Sequence, residues 1–240
     1  VIYLSIDSYL DVYSTPDASE KAKKLKIFSD KLSLFIKKAN NVGIAVDAEA
    51  GWRNWAEDGQ EYKPLAVLEY VIEYNKTHNE KFRGFQYDVE PYLLPSYKDN
   101  KNEVLYNFIS LIDKTVKKLS GSGIELSVTI PEFYDGTSGE TPKFFYGFNY
   151  GFTIDHLLNV LDKKANSKII VMAYRNFAEG TNGAIDISRQ EINKANKHET
   201  KIVVAQETGN VPPPYITFSN TSHYYYQKQD ASWPSNADPE

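Results

Sequence analysis

The sequence of 240 residues contains no cysteine, which excludes disulfide bonds and thiolate metal sites. It also lacks an excess of basic residues. Its net charge of −5 argues against a nucleic-acid backbone as a partner. No apolar run reaches the roughly 18 residues of a membrane span, and both the P-loop and the G-x-G-x-x-G dinucleotide fingerprint are missing. We therefore expect no nucleic-acid partner, no membrane span and no cofactor.

Apolar and aromatic residues are abundant enough for one large core. Hydrophobic residues make up 41% of the chain and charged residues 25%, which is typical of a globular protein. The aromatic fraction is 14%, and exposed aromatic rings suit sugar rings, although most aromatic side chains belong to cores. We predict one barrel domain over residues 1–228, followed by a polar tail or linker over residues 229–240.

Short β-rich runs alternate with helical patterns at intervals of about 40 residues, which predicts βα units and a parallel sheet. The predicted strands are 2–7, 42–47, 84–89, 125–130, 168–174, 201–206 and 223–227. Helices are predicted over 17–39, from Pro64, and over 105–119, 154–161 and 185–195. This pattern predicts an α/β fold, the (β/α)₈ TIM barrel. Because only seven strands are visible, either one strand is not recognisable in the sequence or the barrel is incomplete or trimmed at one or both ends.

Carboxylates follow several predicted strands, at the edge where a barrel keeps its active site. They are Asp7, Asp47, Glu49, Asp88, Glu90 and Glu207. Side chains alternate between faces along a strand, so Gln86, Asp88 and Glu90 share one face. Two neighbouring carboxylates raise each other's proton affinity, so one can stay protonated near neutral pH and act as a general acid. The alternative is a structural polar cluster in the barrel mouth.

Two motifs carry a family resemblance. Gly84, Asp88 and Glu90 match the Gly, last Asp and Glu of the D-G-x-D-x-D-x-E motif of the family-18 glycoside hydrolases, the chitinases and their relatives. Met172 and Tyr174 match the Met-x-Tyr-Asp motif of the same family, with one predicted strand between the two motifs, as in the family. The resemblance implies a glycosidase barrel acting on N-acetyl sugars.

The resemblance also implies roles for three residues. Glu90 would protonate the glycosidic oxygen, Asp88 would orient the 2-acetamido group whose carbonyl attacks the anomeric carbon, and Tyr174 would support that group. Arg83 and Gln86 replace the first two Asp residues of the motif.

Arg175 replaces the Asp of the second motif. Together with the departures at Arg83 and Gln86, this substitution supports the alternative of a non-catalytic carbohydrate-binding barrel.

Glu207 supports a rival mechanism. The run that it ends is similar to the nucleophile strand of clan-A retaining glycosidases, in which an acid/base Glu, often followed by Pro, ends a strand three strands earlier. Glu90 and Pro91 fit that position. On this interpretation Glu207 is the nucleophile on a plain hexose polymer, and the two carboxyl groups lie roughly 5–5.5 Å apart. Both interpretations make Glu90 the acid.

Loops that follow strands form the rim of a barrel, so Trp52 and Trp55 are candidates for stacking on sugar rings. The other predicted substrate-binding residues are Gln86, Asp47, Glu49, Tyr92, Arg175 and Gln206. No metal site is predicted, because the four His residues lack metal-binding spacing. We expect a carbohydrate substrate, other domains of a larger surface protein as partners, and a secreted or cell-surface location inferred from the substrate class.

Overall fold

The computed structural model describes residues 1–209, and the strand predicted at 223–227 and the tail at 229–240 lie outside the described residues. The described strands are β1 (Ile2–Ser5), β2 (Val46–Ala50), β3 (Gly84–Tyr87), β4 (Glu125–Pro131), β5 (Phe144–Tyr146), β6 (Asn149–Gly151), β7 (Lys168–Met172) and β8 (Lys201–Ala205). Six of them form one parallel sheet in the order β1-β2-β3-β4-β7-β8. Strands β5 and β6 form a separate antiparallel hairpin.

Helices connect the parallel strands. They are α1 (Tyr9–Tyr13), α2 (Ala18–Asn40), α3 (Tyr62–Thr77), α4 (Tyr97–Lys118), α5 (Thr153–Leu161), α6 (Ala184–Ile187) and α7 (Arg189–Ala195). Asp17 caps α2, because its carboxylate accepts a hydrogen bond of 2.7 Å from the backbone N–H of Glu20. At least one helix therefore lies between every two consecutive strands of the parallel sheet, as the alternating pattern predicts.

The core lies between the sheet and the helices. Phe85 and Tyr87 on β3 are fully buried and face the helices, as the alternation along that strand predicts. The Tyr87 hydroxyl donates to the Pro64 carbonyl at 3.3 Å and accepts from the Thr115 hydroxyl at 3.2 Å. The opposite face of β3 carries Gln86, so the polar side chains point away from the helical layer.

The α/β class and the parallel sheet are confirmed, but a complete barrel is not. Within residues 1–209 the sheet is open, and β1 and β8 are its two edges. Side chains on these edge strands are accordingly exposed, with Tyr3 at 38% and Val203 at 39%.

Local differences from the predicted elements have local causes. Gly43 adopts a left-handed φ of 76°, and the Ile44 N–H bonds back to the Ala39 carbonyl at 3.0 Å, so the chain is still turning there. Strand β2 consequently begins at Val46, later than predicted, and Asp47 lies near its start. The helix predicted over 185–195 is divided at Ser188, whose hydroxyl bonds the Ala184 carbonyl.

The aromatic segment before α5 forms the β5–β6 hairpin, with Phe148 at its fully exposed tip. Across residues 1–209, no helix combines the length and the apolar character needed to cross a membrane.

Candidate active site

Strand register brings four carboxyl groups to one edge of the sheet. Ser5 of β1 is paired with Glu49 of β2, and Glu49 with Gln86 of β3, so the three side chains share a face. Asp7 follows β1, and its carboxylate accepts a hydrogen bond of 3.2 Å from the Gly51 N–H. Asp88 follows β3, and its N–H donates to the Ala50 carbonyl at 3.1 Å. We call Asp7, Glu49, Asp88 and the nearby Glu90 the acidic cluster.

Gly51 permits the end of β2 to lie close to the backbone of Asp88. A Cβ atom at this position would lie 1.9 Å from the backbone carbonyl oxygen of Asp88. Any side chain at residue 51 would therefore push β2 and the end of β3 apart. The glycine lets Asp7 and Asp88 flank the same point of the sheet.

Burial raises the pKa of Asp7, Glu49 and Asp88, and repulsion between carboxylates adds to the increase at Glu49 and Asp88. The pKa of Glu49 rises to about 7 because of burial, followed by the charges of Asp7 and Asp88. The pKa of Asp88 rises to about 6 because of burial, followed by the charges of Glu90 and Asp7. Burial also raises the pKa of Asp7. Within residues 1–209, no Lys, Arg or His forms an ion pair with any of the four groups.

Glu90 is held by Tyr92, a predicted substrate-binding residue. The Tyr92 hydroxyl donates to Oε1 of Glu90, and Pro91 between them opens a short 3₁₀ turn. The Tyr92 ring packs edge-to-face on Phe133, with centroids 5.2 Å apart. The turn after β3 therefore fixes the carboxyl group of Glu90 through a phenol on the same turn.

Two buried acceptor atoms, one on Gln86 and one on Asp88 of the acidic cluster, have no hydrogen-bond partner among the described residues. Gln86 is 8% exposed and donates through Nε2 to the Thr129 hydroxyl at 2.8 Å. Neither its Oε1 nor Oδ1 of Asp88 has a hydrogen-bond partner among the described residues. Buried polar atoms are normally paired, so these atoms are the natural contacts for a ligand.

The remaining predicted residues of the carboxyl edge form a second group. Oε1 of Gln206 accepts from the Arg175 N–H at 3.0 Å, and the Arg175 guanidinium donates to the Tyr174 carbonyl at 2.9 Å. Glu207 follows β8 and accepts from the Gly209 N–H. Strands β4 and β7 separate β8 from β3 in the sheet, so the spacing between Glu207 and Glu90 stays a prediction.

Asp47 lies at the other end of its strand from the acidic cluster. It is 1% exposed, and Arg83 donates to both of its carboxylate oxygens, at 2.9 and 2.6 Å. The structure therefore joins Asp47 to Arg83 and not to Glu90. The Arg at position 83, which departs from the family motif, has a structural partner.

Trp52 and Trp55 line the same cavity but differ in exposure. Trp52 is 57% exposed and lines a cavity of about 560 Å³ together with Tyr13 and Tyr62. Trp55 is 3% exposed and packs edge-on against Tyr87, with centroids 6.3 Å apart. The indole of Trp55 thus belongs to the core, whereas Trp52 remains available for stacking.

Sequence reasoning missed a further group of acids beyond β4. Glu132 and Asp135 follow β4 at the same edge of the sheet, so the rule that selected Asp88 could have selected them. Glu191 lies on α7, and nothing in its sequence neighbourhood marks it. Burial is the largest cause that raises the pKa of Glu191 to about 8, and the charges of Asp135 and Glu132 raise it further. A hydrogen bond from its own backbone N–H acts in the opposite direction. In the part of the chain that the structure describes, no three His, Asp or Glu residues are arranged to hold a metal ion.

Comparisons with known proteins gave structural similarities only. No family model matches the chain, and no curated protein matches it. The fold is similar to catalytic domain 2 of the group II chitinase of Ostrinia furnacalis, with a TM-score of 0.46 and 13% identity over 74% of this chain and 48% of that one. It is also similar to a chitinase of Chromobacterium violaceum, with a TM-score of 0.43 and 14% identity over 71% of this chain and 51% of that one.

A third similar structure is the spore cortex-lytic enzyme SleL of Bacillus megaterium. Its TM-score is 0.43, with 14% identity over 70% of this chain and 37% of that one. The chain therefore matches about half or less of the length of each of these structures.

Proposed function

We propose that the chain is a glycoside hydrolase domain in which Glu90 is the general acid. The observation that carries this proposal is the pair of carboxyl groups Asp88 and Glu90 at the carboxyl edge of the sheet. The pKa of Asp88 is raised to about 6 by burial and then by its neighbours. Glu90 is oriented by the Tyr92 hydroxyl. Coupled carboxyl groups with different surroundings are the arrangement that acid–base cleavage of a glycosidic bond requires.

In the favoured mechanism the substrate is an N-acetyl sugar. Glu90 gives its proton to the glycosidic oxygen as the bond to the anomeric carbon breaks, and the acetamido carbonyl oxygen bonds to that carbon. Asp88, as a carboxylate, accepts the acetamido N–H and stabilises the positive charge of the ring that forms. Water then attacks the anomeric carbon, the bond from that carbon to the acetamido oxygen breaks, and the attacking water gives a proton to Glu90, which restores the acid.

The surroundings of Asp88 suit an orienting role. Its Oδ1 is buried and has no hydrogen-bond partner among residues 1–209, so it can accept the acetamido N–H without breaking an internal bond. Tyr174 is the proposed supporting donor, and Gln86, Glu49 and Trp52 are proposed substrate contacts.

The alternative is a retaining glycosidase with Glu207 as nucleophile. The position of Glu207 directly after β8, at the same edge of the sheet, favours this alternative. The Arg at position 83 departs from the family motif, and that departure supported a non-catalytic barrel. The argument is weaker because Arg83 has a structural role as the partner of Asp47. We propose further that the substrate is an extracellular polymer, that the chain is secreted or displayed at the cell surface, and that it acts beside other domains.

The test is release of reducing sugars from chitin, peptidoglycan, β-glucan and mannan oligomers by the full chain. Glu90→Gln should abolish release while leaving the unfolding transition unchanged. Glu103→Gln, a substitution of an exposed acid on α4, is the matched control and should keep full activity. Binding of an oligomer without release from any of them would replace the proposal with a carbohydrate-binding function. Full activity of Glu90→Gln would exclude both mechanisms.

A further inference from the structure

A second acidic region lies beyond the carboxyl ends of β4 and β7. It is a cavity of about 470 Å³. The charged residues that line it are Glu132, Asp135, Glu140, Asp186, Arg175 and Arg189. We call it the acidic cavity. Its volume falls within the range of small-molecule sites.

Only part of this negative charge is balanced by cations among residues 1–209. Glu132 lies 3.9 Å from the Arg175 guanidinium, and Asp186 lies 3.5 Å from that of Arg189. Asp135 and Glu140 form no ion pair among the described residues. The ammonium group of Lys101 bonds to the backbone carbonyl of Glu140 and not to its carboxylate. The acidic cavity is therefore left with an excess of negative charge.

Asp135 is a buried residue in the wall of the acidic cavity, and one of its carboxylate oxygens has no hydrogen-bond partner among residues 1–209. The residue is 4% exposed, and its Oδ1 accepts from the N–H and the hydroxyl of Thr137 at 2.8 and 2.7 Å. Its Oδ2 has no hydrogen-bond partner within residues 1–209. The fully buried Glu191 interacts electrostatically with Asp135. The carboxylate of Asp135 is buried and has no ion pair among residues 1–209, so a bound cation would offset the cost of burying its charge.

The acidic cavity adjoins the acidic cluster through one aromatic contact. Phe133 lines the acidic cavity, and its ring packs against Tyr92, whose hydroxyl holds Glu90. A polymer that passes Glu90 along this side would place a neighbouring unit at the acidic cavity. The ligand should therefore combine a sugar ring with a positive charge.

We propose that the acidic cavity binds a sugar unit bearing a protonated primary amine, next to the unit whose bond is cleaved. This inference rests on the proposed function and specifies its substrate as a partly de-N-acetylated amino-sugar polymer. Asp135 and Glu140 accept the ammonium hydrogens. A metal ion is the weaker candidate, because the described residues offer no three-ligand group.

The test measures binding to the Glu90→Gln chain, in which the substrate stays intact. Calorimetry compares two chitin oligomers of equal length, one fully acetylated and one with free amines on part of its units. We expect about tenfold tighter binding of the amine-bearing oligomer, the value of one charge-assisted contact. Adding Glu140→Gln or Asp135→Asn should remove most of that preference, and adding Glu103→Gln should leave it unchanged.

Five outcomes separate this inference from the proposed function. Equal binding of the two oligomers, or a preference that survives both cavity substitutions, would overturn the inference, and so would no binding of either oligomer. Hydrolysis of the fully acetylated oligomer without any preference would overturn the inference alone. A preference without hydrolysis by the native chain would overturn the proposed function alone. Glu140 is exposed, so Glu140→Gln tests the inference even if Asp135→Asn fails to fold.

Discussion

The two ends of the parallel strands carry charge in opposite ways. Near the starts of the strands, Arg83 pairs with Asp47 at 2.6 Å and lies 3.6 Å from Glu125, which also pairs with Lys168. Every carboxylate in this group has a cation beside it. At the carboxyl ends of β1 to β3, Asp7, Glu49, Asp88 and Glu90 gather with no cation paired to them among residues 1–209.

This difference distinguishes charges that support the fold from charges that support chemistry. A paired carboxylate has little tendency to take up a proton, because the cation favours its ionised form. An unpaired and buried carboxylate binds a proton more tightly, as Asp88 and Glu49 do with pKa values raised to about 6 and about 7. Substitutions at the starts of the strands should therefore change stability, and substitutions at the carboxyl ends should change turnover.

The largest effect is expected at Glu90. Glu90→Gln removes the only group that both mechanisms use as the acid, so turnover should fall by about 10⁴-fold, the upper end of the effect of a general acid. Glu207→Ala decides between the two mechanisms. It should lower turnover as much as Glu90→Gln does, and added azide should restore activity, only if Glu207 is the nucleophile. A mild effect without rescue would leave the acetamido-assisted mechanism, and initial rates on acetamido and plain hexose oligomers provide the measurement.

The next largest effect is expected at Asp88. Asp88→Asn removes the proposed acceptor of the acetamido N–H and should lower kcat by about 10²- to 10⁴-fold. Because the pKa of Asp88 is raised to about 6, the wild-type rate should decline as the pH falls through about 6 and the carboxylate is protonated. Asp88→Asn should lose that acid limb, and the exposed Asp58→Asn should keep it. If the rate of Asp88→Asn still declined below about pH 6 as the wild-type rate does, the group that titrates would be one other than Asp88.

The opposite end of the strands should respond in stability rather than in rate. Arg83→Ala leaves the carboxylate of Asp47 buried without its partner, which should reduce the free energy of unfolding by about 2–3 kcal/mol. Lys26→Ala, which breaks an exposed pair with Asp30, should cost less than about 0.5 kcal/mol. Chemical denaturation measures both. A large loss of kcat in Arg83→Ala at unchanged stability would contradict the division between the two ends.

The strand pattern was readable from the sequence because buried parallel strands are continuous apolar runs. Strands β3, β4, β7 and β8 begin where their runs begin. Strand β2 was misplaced because Val42 and Ile44 extend the apolar pattern through a turn that only the backbone at Gly43 reveals. The sheet is open within residues 1–209, and strand count alone could not predict whether it closes.

The acidic cluster was half predictable for a related reason. The period of two along β3 placed Asp88 and Glu90 together, but the contribution of Glu49 depends on register between strands and on the missing side chain of Gly51. Trp52 and Trp55 lie in the same loop, and only packing separates the exposed ring from the buried one. Glu191 interacts electrostatically with Asp135 from a helix distant in sequence, which no local pattern indicates.

The most direct test of uncompensated charge is the pH dependence of stability at Glu49. The folded pKa of about 7 lies above the ordinary value of 4.5, so the folded protein binds the proton more tightly than the unfolded chain. The stability that Glu49 contributes is therefore fully present below about pH 4.5 and is lost as the pH rises through about 7.

In Glu49→Gln the neutral amide cannot ionise, so the stability of this variant should fall less over this pH range than that of the wild type. Other buried acids titrate in the same window, so the test is the difference between two denaturation series, with Glu103→Gln as the control. Parallel wild-type and Glu49→Gln curves would mean that Glu49 has a counter-charge in solution, and the contrast between the two ends of the strands would then fail at this residue.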